Sequence, residues 1–138
     1  MELLLAAVCD TAMERPDGKL DLRGVFHELS APGFPALQDR MTAVFVMEWE
    51  PDEAGRQPLR ADLVDGDGTR VLTIQGHTEV APPRAGMPPP QTRLIMPMER
   101  VVFPHAGRFT FELVAGGHTV RACSVHLVER EAEPAPER

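Results

Sequence analysis

Four stretches carry side chains whose type and spacing could do chemistry. Asp65, Gly66, Asp67 and Gly68 place two carboxylates close together, the hard oxygen donors that a calcium loop uses. As an EF-hand the stretch fails, because Arg70 stands where the loop needs glycine and Gly76 where it needs the bidentate glutamate. A calcium-dependent C2-like module remains an alternative, with Asp10 and Asp17 as further ligands if their loop lay at the same end. The plainer reading is a hairpin turn, since Asp and Gly are the residues such turns demand.

The five histidines, His27, His77, His105, His118 and His126, show none of the close pairing of helical or turn-based metal sites. His118 and His126 share parity on one expected strand, but eight extended residues separate them by roughly 26 Å. Cys123, Ser124 and His126 juxtapose nucleophiles with a base. A catalytic nucleophile, however, usually sits on a sharp turn, and no orienting acid accompanies these. No catalytic residue, metal site or cofactor is therefore expected, and the protein is expected not to be an enzyme.

The fourth stretch is APPRAGMPPPQT, residues 81 to 92. Its five prolines remove five donors and fix φ, so it must cross the surface as an extended connection. Met87 lies there without core neighbours in the sequence. With Arg84, Pro88 and Pro89 it forms the candidate contact for a protein partner or a second copy, because a flexible, polarizable side chain suits an adaptable interface. The alternative is a plain crossover between sheets.

The elements that must position these groups are strands. Phe109, Phe111 and Leu113 alternate with Arg108, Thr110 and Glu112, the period-two pattern of a strand with one buried face. Gly116 and Gly117 turn the chain, and residues 119 to 128 return in β-branched and apolar residues, which predicts a closing hairpin. A second hairpin is expected across Gly66, Asp67 and Gly68, its outer face marked by Arg60, Asp62, Arg70 and His77. Residues 3 to 9 are apolar at both parities, which predicts a central strand or one covered on both sides. Residues 10 to 19 read as a connection, turned at Pro16, Asp17 and Gly18. The strand from Leu20 to about Leu29 is expected to carry a β-bulge after Gly24. Residues 30 to 39 read as a loop, with room for a single helical turn, that returns Phe34 to the core. Residues 41 to 49 form another strand apolar at both parities. Pro97 puts residues 94 to 103 at an edge or a break.

Charge and composition narrow the partners. The chain has 138 residues, 21 acidic against 14 basic, and a formal net charge of -7. Nucleic acid and anionic membranes both call for basic surface, so neither is expected. The apolar run at residues 3 to 8 is too short for a signal peptide and follows Glu2 rather than a basic segment. A cytoplasmic location follows, and with it reduced thiols at Cys9 and Cys123.

About eight short strands, with turn signals between them and no amphipathic helix, predict an all-β antiparallel Greek-key sandwich, immunoglobulin-like or related. Residues 1 to 128 form the single domain and 129 to 138 a disordered acidic tail. LLLAAVCD at 3 to 10, GKLDLRGVF at 18 to 26, GFPA at 33 to 36 and FPHAGRFTFELVAGG at 103 to 117, taken in order, resemble a bacterial family known only as a domain of unknown function. The resemblance implies a small, cytoplasmic β-rich fold without assigned catalytic residues. The expected function is a non-enzymatic binding or scaffolding module acting through loops or strand edges. The C2-like module and a small-ligand binder or enzyme with a cryptic site are the alternatives.

Overall fold

The alternation at Phe109, Phe111 and Leu113 is realised as β9 (Gly107–Ala115), paired antiparallel with β10 (His118–Glu129). All three side chains are fully buried. Gly116 and Gly117 turn the hairpin at φ +58° and +75°, values that glycine reaches without a Cβ penalty. The computed structural model describes residues 1–131. Within them the remaining strands are β1 (Glu2–Cys9), β2 (Thr11–Glu14), β3 (Leu20–Arg23), β4 (Glu28–Ala31), β5 (Ala36–Glu48), β6 (Gly55–Val64), β7 (Arg70–Val80) and β8 (Gln91–Phe103). Ten strands among the described residues thus replace the expected eight or so. A 3-10 turn lies at Pro51–Glu53.

The strands form a five-stranded sheet in the order β4-β10-β9-β6-β7, a three-stranded sheet β1-β5-β8 and a two-stranded ribbon β2-β3. All pairings are antiparallel except β4 with β10, which is parallel. One core lies between the two larger sheets, where Phe45 meets Phe111 edge-on at 5.8 Å and Phe103 meets Phe109 at 5.1 Å. These T-shaped contacts suit the ring quadrupoles.

Residues 3 to 9, expected as a central strand or one covered on both sides, form an edge strand whose one hydrogen-bonded neighbour among the described residues is β5. Leu4 and Leu5 remain 45% and 38% exposed. Both parities are apolar there for two local reasons. Leu4 is an extra residue in a bulge between Leu3 and Leu5, and Cys9 is buried although its partner Thr42 belongs to the outward set of β5. That outward set, Thr42, Val44 and Val46, is also buried. The β2-β3 ribbon lies against β5 and β8, and Arg93 ties it down through Glu14 Oε1 at 2.8 Å and the Gly18 carbonyl.

β2 falls within residues 10 to 19, expected as connection only, and the Pro16-Asp17-Gly18 turn closes it onto β3. The bulge expected after Gly24 is instead a break. Gly24 sits at φ +68°, with the Asp10 side chain where a Cβ would stand, and the chain leaves the ribbon for the five-stranded sheet. Residues 30 to 39 contain the end of β4 and the start of β5 rather than a helical turn, and Phe34 packs on the core as expected. β8 is an edge strand carrying Pro97, as that proline requires. Glu129 still belongs to β10 and the Arg130 amide donates to the Ala31 carbonyl. Residues 132–138 of the expected tail lie outside the described residues.

Candidate functional site

Along one side of the sandwich β1 and β10 run close together with no backbone hydrogen bond between them. β4 pairs with β10 only from His126 onward, which leaves residues 118–125 of β10 open on that side. Among the described residues no backbone group outside β5 bonds to the backbone of residues 4–7 of β1. Residues 24–27 close one end of this seam: the Phe26 amide donates to the Val8 carbonyl at 3.0 Å, and the His126 amide to the His27 carbonyl at 2.8 Å.

A cleft of about 670 Å³ covers the seam. Its apolar lining comes from Leu5 to Val8 of β1, from Leu22 of β3, and from Val25 and Phe26. Its polar lining comes from Arg108 and Thr110 of β9, from Arg121, Ser124 and His126 of β10, and from His27. Arg108 lies directly opposite His126, and Thr110 opposite Ser124, their hydroxyl oxygens 2.9 Å apart. A bulge at Ala122 interrupts the alternation of β10 between Arg121 and Cys123. It sets Arg121, Ser124 and His126 on the outer face, while Cys123 turns to the core opposite Phe111. The same bulge separates His118 from His126, which pair with Ala115 of the inward set and Arg108 of the outward set. The shared parity expected of them is therefore broken.

The cleft is basic. Among the described residues no aspartate or glutamate lines it, and neither Arg108 nor Arg121 joins an ion pair. Its candidate nucleophiles are quiet. Burial pushes the Cys123 thiol up to about 11, so little thiolate exists near neutral pH. Ser124 meets the Thr110 hydroxyl rather than an acid-oriented imidazole. Cys9 and Cys123 are both free, with Cys9 buried and Cys123 half-buried, and burial followed by the neighbouring Asp10 also raises the Cys9 thiol.

The aspartate loop is a turn with its oxygens engaged. Asp65 Oδ1 accepts from the amides of Asp67 and Thr69, each at 2.9 Å, and Oδ2 lies 3.1 Å from His105 Nε2. The Thr69 amide and then His105 hold the Asp65 carboxyl below its ordinary value. The Ala106 carbonyl, 2.7 Å from His105 Nδ1, and then Asp65 hold the His105 imidazole above its own. This pair latches the β6-β7 turn to the β8-β9 turn. Among the described residues no three His, Cys, Asp or Glu side chains converge as a metal group, so Asp10 and Asp17 are not brought to this loop as a ligand set. Asp62, expected on an exposed outer face, is buried at 3%. Arg60 and Arg70 reach it at 3.0 and 3.7 Å, and Thr73 donates to it at 2.7 Å. Such pairing is what a buried carboxylate requires.

The proline crossing connects β7 to β8 and hence one large sheet to the other. Arg84, Met87, Pro88 and Pro89 are exposed, Met87 at 63%, and the Met87 amide donates to the Arg84 carbonyl at 3.1 Å. The crossing is anchored at its end by the Trp49 amide, which donates to the Pro90 carbonyl. The structure does not bring these four residues to the β1-β10 cleft. The cleft itself escaped sequence reading, because a break at Gly24 and a bulge at Ala122 assemble it from four separate segments.

Fold and cleft together define an all-β sandwich with an open strand-edge groove. The chain belongs to the family of unknown function DUF6941, whose family model matches residues 4–128. This bears out the likeness to a family without an assigned role. No curated protein matches the chain. No helix among the described residues is long and apolar enough to cross a membrane.

Proposed function

We propose that this protein is a non-enzymatic cytoplasmic binding module that takes an extended segment of a protein partner along the open edge of β1. The observation that carries the reading is that from Leu3 to Cys9 this edge has neither proline nor charge to guard it, and a single bulge only at its start. Natural sheets protect their edges with prolines, charges, bulges or short strands. β8 has Pro97 and a kink at Arg100, φ +55°. β7 exposes Arg70, Thr73, Gln75, His77 and Glu79, while β4 has four residues. β1 has only the bulge at Leu4, no charge from Leu3 to Cys9, and two exposed leucines.

Strand addition supplies main-chain hydrogen bonds for affinity and leaves specificity to the side-chain pockets. Each such bond is worth about 1 kcal/mol net, whereas association itself costs roughly 4–15 kcal/mol. A few bonds along residues 4–7 are therefore insufficient. The apolar and arginine lining of the cleft must contribute the rest.

Site-resolved photo-crosslinking in cells tests this reading. A photoreactive residue replaces Leu5, Met87 or Val102, three exposed apolar positions on different parts of the surface. A discrete adduct at position 5 is expected, and Leu5→Lys should abolish co-purification of that same partner without changing the melting temperature. An adduct at position 87 in place of position 5 transfers the contact to Arg84, Met87, Pro88 and Pro89 and overturns the edge reading. The exposure of Met87 is what keeps that second reading in view.

A further inference from the structure

We infer that the segment taken by the cleft is acidic, with carboxylates toward Arg108 and Arg121 and apolar side chains against Leu5, Leu22 and Val25. The inference rests on β1 as the pairing edge and adds the chemistry of the partner. Charge complementarity carries it. In a chain of net charge -7 with 21 acidic residues, this cleft of about 670 Å³ has two arginines, two histidines and, among the described residues, no carboxylate in its lining. Three acidic side chains stand near. Glu112 lies opposite Arg121, Glu28 opposite His126, and Asp10 beside Gly24. Among the described residues neither Glu112 nor Glu28 forms an ion pair, which leaves both guanidinium forks for the bidentate geometry that carboxylates match.

The sheet register also sets the spacing of the ligand. Arg121 is level with Glu112 and Arg108 with His126, so the two arginines are offset by the length of β9 from 108 to 112. Four extended residues span roughly 13 Å. An extended segment puts residues four apart on the same side and intervening odd positions on the other. The pattern that fits is therefore an acid, an apolar residue, any residue, an apolar residue and a second acid.

Short capped peptides with this pattern, labelled for fluorescence anisotropy, test the inference beside versions with lysine at both acidic positions. The acidic peptide should bind, and the lysine version should bind about tenfold more weakly or less, as opposed charge patterns do across interfaces. Arg108→Glu and Arg121→Glu should each reverse that preference, and the gain for the lysine peptide shows that the variants remain folded. Amide hydrogen exchange at Ala6, whose backbone faces the open side as the Val8 carbonyl and the Asp10 amide do, should slow in the complex. Equal affinity for both peptides with slowed exchange on β1 overturns the acidic partner and leaves strand addition standing. Arginine-dependent binding without slowed exchange strikes the edge reading itself. Failure of the acidic peptide to bind overturns the inference.

Discussion

Phe109 and Phe111 show how much a single side chain contributes here. Each is fully buried and each contacts a phenylalanine of the opposite sheet, so truncation leaves a cavity bounded by both layers. Phe111→Ala should lower stability by about 3–5 kcal/mol, read by chemical denaturation. A loss well below 1 kcal/mol would place the ring outside the core. Its inward direction was legible because Thr110 and Glu112 flank it with polar groups. Asp62 was not legible in this way. An aspartate between Ala61 and Leu63 reads as solvent-facing, and only the arrival of Arg60, Arg70 and Thr73 permits its burial.

At the scale of elements, the latch between the β6-β7 and β8-β9 turns is a local electrostatic device with a definite sign. The Asp65 carboxyl is lowered from 3.8, so its contribution is complete above that value and is lost as pH falls through the lower folded value. The His105 imidazole is raised from 6.5, so its contribution is complete below that value and is lost as pH rises through the higher folded value. The latch therefore acts fully between pH 3.8 and 6.5. His105→Asn should lower the melting temperature most within that window and least well above it. An equal loss at every pH would assign His105 a packing role against Phe109, whose ring lies 5.2 Å away. The turn itself was legible from its Asp-Gly chemistry, but its partner forty residues away was not.

At the scale of the whole molecule, one core is shared by both large sheets, and the crossing from β7 to β8 joins them. Unfolding should be a single transition, the same when followed by far-ultraviolet circular dichroism and by fluorescence of the buried Trp49, whose indole donates to Thr92 at 2.9 Å. Two separated transitions would mean that the sheets unfold independently. What the amino-acid sequence determined by itself is the all-β class, the two glycine-turned hairpins, the inward set of β9, the edge position of the proline-bearing strand and the surface course of the proline crossing. Each of these follows from period-two patterning or turn chemistry over a few neighbouring residues. The tertiary structure alone decided that the apolar run of β1 lies at an edge, that the chain breaks at Gly24 to make β3 and β4, and that a bulge at Ala122 brings Arg121 beside Ser124 and His126. The physical reason is range. Apolar character at both parities arises equally from a central strand and from an edge strand with a bulge, and only long-range pairing distinguishes them.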